Sequence, residues 1–147
     1  MIRRATVNDI GSIIKLLPKK VVDNKTKNIL KQHMRDGIVF VLEDERGIVG
    51  VSAVMCYENQ SAWTYYYIDD RYRGKQASLR LFLMSMSIMS GTQILIKSKE
   101  LADKSTFNTY IKPYKNSTTI FEFEIPKEKL EELEELTKEI INEEDNE

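Results

Sequence analysis

Between Tyr65 and Met89 a tyrosine-rich run passes through a short basic loop into a long apolar segment, and no other feature of the chain constrains its fold as much. The run reads Tyr65-Tyr66-Tyr67-Ile68-Asp69-Asp70-Arg71-Tyr72-Arg73-Gly74-Lys75-Gln76-Ala77-Ser78-Leu79. Ala77 to Met89 is apolar nearly all round, which predicts a deeply buried helix. Gly91 ends it, and Gln93 to Lys97 reads as a further strand, so the strand–helix–strand unit is long enough for a parallel crossover. N–H groups at the start of a helix have no carbonyl partners and form an anion site. Arg73 and Lys75 add positive charge there, and Gly74 lets the backbone approach a ligand closely. Such a unit suits the pyrophosphate of a phosphorylated cofactor.

The segments before it give three sequential strands. Ile38 to Leu42 is dense in β-branched residues, Asp44-Glu45-Arg46-Gly47 is a hairpin turn, and Ile48 to Tyr57 returns. Glu58 to Ser61 turns again into Ala62 to Ile68, completing an antiparallel meander. Upstream, Ile2 to Ala5 is a short strand, and Thr6-Val7-Asn8-Asp9 matches a capping box ahead of Ile10, Ile13, Ile14 and Leu17 at helical spacing. Pro18 stops that helix, Lys19 to Asn24 is a loop, and Lys25 to Arg35 is a helix with few apolar residues, hence a surface helix. Downstream, Leu101 to Tyr110 is a short helix, Thr118 to Ile125 the last strand, and a helix with Leu130, Leu133, Leu136 and Ile140 among acids follows Pro126. These elements make an α+β chain, a mixed, mostly antiparallel sheet in an α/β/α sandwich, with a domain over residues 1–126 and an acidic helical tail over 127–147.

Composition narrows the classes. No run approaches the roughly 18 apolar residues of a membrane span, and the start lacks the apolar core of a signal peptide. Cys56 is the one cysteine and His33 the one histidine, which argues for a reducing, cytoplasmic setting and against a zinc site or any other resident metal. The net charge of −1 hides an asymmetry. Residues 127–147 carry ten acids and three bases, while residues 1–126 carry nineteen bases and thirteen acids. A basic body suits an anionic cofactor, a nucleic acid or an acidic partner.

The element order resembles that of the GNAT superfamily of acyl-CoA-dependent N-acetyltransferases. Ile2-Arg3-Arg4-Ala5-Thr6 with Asp9 is similar to the family's opening strand, and Ile68-Asp69-Asp70-Arg71-Tyr72-Arg73-Gly74-Lys75 to its run into the pyrophosphate loop. Tyr110-Ile111-Lys112-Pro113-Tyr114-Lys115 resembles the segment before the family's last strands, so the resemblance covers about residues 1–125. It implies acetyl-CoA as co-substrate and direct attack of an amine on the thioester. Backbone N–H groups of Arg73, Gly74, Lys75, Gln76, Ala77, Ser78 and Leu79 would cradle the pyrophosphate. The strand through Tyr67 and Ile68 would pair with the pantetheine arm, the Ile68 N–H facing the acetyl carbonyl. One such donor on a developing oxyanion is worth about 2.7–4 kcal/mol. Tyr110 matches the family tyrosine that returns a proton to the departing thiolate, and Glu58 is the candidate base for the amine, directly or through a water. The loop departs from the family pattern where Gln76 replaces a glycine and Ser78 the final glycine or alanine.

Plainer readings stand beside these. Arg73 to Gln76 is also a solvated turn, the three tyrosines alternate between two faces of a central strand, Tyr110 is a packing residue and Glu58 a turn residue. His33 reads as a helix-surface residue and Cys56 as a buried, inert thiol. The leucine stripe of the tail docks on the parent domain, on a partner or on a second copy. Beside the acetyltransferase stand two rivals. One is a GNAT-like scaffold without catalysis, as occurs among bacteriophage proteins including virion components, and the other a nucleic-acid-binding module using the basic body and tyrosine strand. The amine acceptor, small molecule or protein, has no signature in the loops.

Overall fold

Strand residues Val39 and Val41 point to one side of the sheet and Phe40 and Leu42 to the other, and this period of two divides the whole molecule into layers. In the computed structural model, which describes residues 1–104 and 108–145, seven strands form one sheet. They are β1 (Ile2–Arg4), β2 (Ile38–Asp44), β3 (Gly47–Cys56), β4 (Gln60–Ile68), β5 (Gln93–Ile96), β6 (Ile111–Pro113) and β7 (Phe121–Phe123), in the spatial order β1-β2-β3-β4-β5-β7-β6. β4 and β5 are parallel, and the other neighbours are antiparallel. The expected meander and crossover are both present.

On one face lie α1 (Ile10–Leu16) and α2 (Thr26–Asp36), packed through Ile13, Leu17 and Leu30 on Val39, Val41, Val51 and Ala53. On the other lies α3 (Gln76–Ile88), whose Leu81, Phe82, Leu83 and Met86 are buried against the sheet. The tyrosine run alternates accordingly, Tyr65 and Tyr67 joining the α1/α2 side and Tyr66 the α3 side. Helices α4 (Lys99–Lys104) and α5 (Lys127–Asp145) complete the α3 side, with Leu133 buried in the core and Leu130 and Leu136 packed beside it. The leucine stripe of the tail thus lies on its own domain; the side chain of Ile140 is outside the described residues.

Several expectations are corrected. α2 is no surface helix: Thr26, Leu30 and His33 are all buried along one stripe. Two of those three are polar, so a count of apolar residues missed the stripe. Cys56 ends β3 beside an open turn, and its thiol is exposed. The long last strand is replaced by a short hairpin of β6 and β7, with Lys115 and Asn116 at positive φ in the connection. Pro113 is tolerated because β6 is the sheet edge. A 3₁₀ turn over Lys19–Val21 lies within the expected loop after Pro18. The expected helix from Leu101 to Tyr110 is α4 followed by a 3₁₀ turn at Asn108–Tyr110, and residues 105–107 of it lie outside the described residues. Among the described residues, no helix is long and apolar enough to cross a membrane.

Candidate functional site

β5 accompanies β4 only from Gln60 to Trp63. From Thr64 to Ile68, β4 runs on with no strand on that side among the described residues, so the two strands part. Thr64 opens the divergence as the extra residue of a β-bulge between Ala53↔Tyr65 and Val54↔Trp63. Beyond the bulge the Asp69 N–H bonds Val49 O at 2.8 Å, which makes the groups of Tyr67 face β3 and those of Tyr66 and Ile68 face the gap. Ser98, just past β5, bridges the gap at its base. Its hydroxyl donates to Tyr66 O at 3.2 Å and accepts the Leu101 N–H that starts α4.

A cavity of about 290 Å³ occupies this gap on the α1/α2 side. Thr64, Tyr65 and Tyr66 line it from β4, Lys97, Ser98 and Lys99 from the end of β5, and Leu17, Pro18, Lys20 and Val21 from the α1–α2 connection. Among the described residues no carboxylate lines it. Burial pushes the Tyr65 phenol up from its ordinary value, and that of Tyr66 further. Both therefore stay protonated at neutral pH.

Behind Thr64 stands His33. Its Nε2 lies 2.8 Å from Thr64 Oγ1 and its Nδ1 2.8 Å from Ile29 O. A carbonyl only accepts, so Nδ1 carries the proton in the neutral ring and Nε2 is free to accept from the threonine. Burial first, and the charge of Lys97 after it, hold the imidazole pKa below its ordinary value.

The basic loop leaves the same end of β4. Asp69 caps a 3₁₀ turn at Asp70–Tyr72 by accepting the Arg71 N–H, and Tyr72 bonds Asp44 of the β2–β3 hairpin. Gly74 takes φ +70°, and a Cβ built there meets nothing within 4 Å, so glycine serves the turn and not the space. Lys75 precedes α3 in extended conformation, and Gln76, Ala77 and Ser78 form the first helical turn, whose N–H groups have no carbonyl one turn earlier. The Leu79 N–H is already bonded to Lys75 O, and Ser78 Oγ donates to that same carbonyl. Arg73 is held by Asp70 at 2.7 Å and lies over the Tyr67 ring. The structure therefore gathers Tyr67, Ile68 and the residues from Arg73 to Leu79 at one end of the sheet.

It does not bring Tyr110 or Glu58 to them. Glu58 is exposed in the β3–β4 turn, with the length of β4, roughly 26 Å at about 3.3 Å per residue, between that turn and Ile68. Tyr110 precedes β6 level with Gln93, the end of β5 opposite Ser98, and packs on Phe123. Sequence reasoning missed Thr64, His33 and Ser98. Their signal is the bulge and a contact across the fold, and neither is periodic in the chain.

No family model matches the chain, and no curated protein does. Solved structures do match. The PaiA N-acetyltransferase of Thermoplasma acidophilum, in complex with coenzyme A, superposes with a TM-score of 0.61 at 11% identity, over 85% of this chain and 98% of that one. A GNAT-family acetyltransferase of Staphylococcus aureus Mu50 gives 0.64 at 14% identity over 84% and 97%. One from Brucella melitensis, in complex with acetyl-CoA, gives 0.54 at 13% over 83% and 84%. The chain has the fold of the GNAT acetyltransferases.

Proposed function

We infer that the chain binds acetyl-CoA between β4 and the first turn of α3 and transfers the acetyl group to an amine that enters the cavity beside Thr64. The observation that carries this reading is the parting of β4 from β5 next to an uncapped helical turn. An extended arm needs an open strand edge, and a pyrophosphate needs unpaired N–H groups; both are found at the same end of the sheet. Two structures of the same fold hold coenzyme A or acetyl-CoA.

Bound acetyl-CoA supplies a thioester, an activated acyl carbon whose leaving group is a thiol. The chain's residues bind and orient. The N–H groups of Gln76, Ala77 and Ser78 receive phosphate oxygens with Lys75 beside them, while Arg73, fixed by Asp70, shapes the loop. The Ile68 N–H, facing the gap, is the donor for negative charge developing on the acyl oxygen. Tyr110 and Glu58 have no part in this reading, since they stand at the other end of the sheet.

Gln76 favours a second reading, a scaffold that keeps the fold without turnover, because its side chain stands on the first helical turn where the cofactor must approach. Calorimetric titration with acetyl-CoA separates the two. The first reading expects micromolar affinity that is lost when Gly74 and Ser78 are both replaced by bulky residues. No heat at millimolar cofactor would leave the scaffold.

A further inference from the structure

We propose that the amine gives up its proton to the Thr64 hydroxyl, with His33 behind it as the acceptor that takes the threonine's own proton. The proposal rests on the acetyltransferase reading and adds to it the group that prepares the acceptor.

An amine reaches neutral water as an ammonium ion and has no lone pair until it loses a proton. Of the ten described residues lining the cavity none is a carboxylate. Lys20, Lys97 and Lys99 are cations, Tyr65 and Tyr66 hold their protons, and Ser98 already donates to Tyr66 O. Thr64 differs, because its hydroxyl is bonded to a base. The Ile29 carbonyl fixes the proton of neutral His33 on Nδ1, so Thr64 donates to Nε2 and presents its lone pairs elsewhere. His33 itself is 4% exposed and does not line the cavity, so Thr64 is its route there.

The imidazole must be neutral to accept. The charge that reaches it is that of Lys97 past β5, which opposes protonation. On α2, Asp36 lies one turn on and is paired with Arg35. From β4 the Thr64 hydroxyl bonds it.

Protons and electrons balance as follows. The ammonium passes one proton to Thr64 Oγ1 while the Thr64 proton moves to His33 Nε2, leaving a neutral amine and an imidazolium. The amine lone pair forms the bond to the acyl carbon, and the carbon–sulfur bond breaks with its electrons going to sulfur. The second N–H proton leaves with the sulfur as thiol, and His33 returns the first to solvent through Thr64.

Because His33 is the chain's one histidine, its imidazole nitrogens are identifiable by NMR without assignment. The test compares wild type with Thr64→Val, which keeps the shape and removes the hydroxyl, and with Thr64→Ser, which keeps the hydroxyl. Three quantities are read: acetyl-CoA affinity by calorimetry, thiol release with a panel of primary amines against pH, and the imidazole titration. The expected result is unchanged cofactor affinity in all three proteins and about a 10²-fold lower kcat in Thr64→Val, restored in Thr64→Ser. The acid limb of the wild-type profile follows the imidazole titration below the ordinary histidine value and is absent from Thr64→Val. Wild-type kcat and an unchanged acid limb in Thr64→Val would overturn the relay alone, as would an Nε2–H tautomer in neutral His33. Failure of every protein to bind acetyl-CoA would overturn the relay and the acetyltransferase reading together.

Discussion

The hydroxyls of Ser52 and Ser85 meet at 2.6 Å in the centre of the core, both fully buried, and they join β3 to α3. The direction of each proton follows from the neighbours. Trp63 Nε1–H donates to Ser52 at 2.9 Å and Ser85 donates to Leu81 O at 2.8 Å, so Ser52 donates to Ser85. The chain from indole to carbonyl is complete, which makes it stabilising as a unit and costly in part. Ser52→Ala strands the Trp63 N–H and is expected to cost about 1–3 kcal/mol in urea unfolding. The Ser52→Ala/Ser85→Ala double variant should lose clearly less than the sum of the singles, and strict additivity would show that the two hydroxyls do not couple.

Arg3 forks onto both oxygens of Asp9 at 2.8 and 3.0 Å and reaches Glu43 at 3.0 Å, fastening the first strand to β2 and the first helix. Arg3, and after it the Thr6 N–H, bring the Asp9 carboxyl down to about 2. A carboxylate depressed in the folded state contributes stability that is full above its ordinary value of 3.8 and lost as pH falls through about 2. Asp9→Asn keeps an acceptor for the Thr6 N–H and removes the charged fork with Arg3, with an expected loss of about 1 kcal/mol at neutral pH. Acid unfolding of that variant should show a shallower pH dependence below the ordinary value; an identical acid profile would contradict the assignment.

For His33 the sign is the same, in a higher pH window. Its pKa is lowered on folding, so between the folded value and the ordinary 6.5 the unfolded chain binds more protons. Stability is full above that ordinary value and falls as pH drops through it toward the depressed one. Urea midpoints at about pH 7.5 and about pH 5.5 should differ in that direction, and a His33→Gln variant should show less of the difference.

Two glycines separate conformational from steric demand. A Cβ on Gly37 would stand 2.2 Å from Val54 O, a backbone atom that cannot swing aside, whereas one on Gly74 meets nothing within 4 Å. Gly74→Ala therefore costs only its left-handed backbone, about 1–2 kcal/mol. Gly37→Ala should be the more damaging by thermal melting, and the opposite order would refute the packing of α2's end on β3.

Cys56 should react fully with a thiol reagent in the native protein, because β3 ends there and the side chain is open to solvent. Reaction only after unfolding would restore the buried thiol read from the strand pattern.

What the sequence by itself determined is whatever rests on local period and local chemistry. The alternation of Val39, Phe40, Val41 and Leu42 decided two layers, the apolar wrap of Leu81 to Met86 decided a buried crossover helix, and Gly74 before Gln76 decided where the loop turns. The basic loop before α3 was legible because all of it lies in one stretch of chain. Only the tertiary structure decided the cavity. Its opening depends on where β5 stops beside β4, and Thr64 enters it because one residue of β4 has no partner on β3. His33 joins Thr64 across 31 positions of sequence, on a helix whose buried stripe is mostly polar. Hydrogen bonds between distant segments leave no period in either one, so the chain's local pattern holds the frame of the site while the pairing inside it exists only in the folded protein.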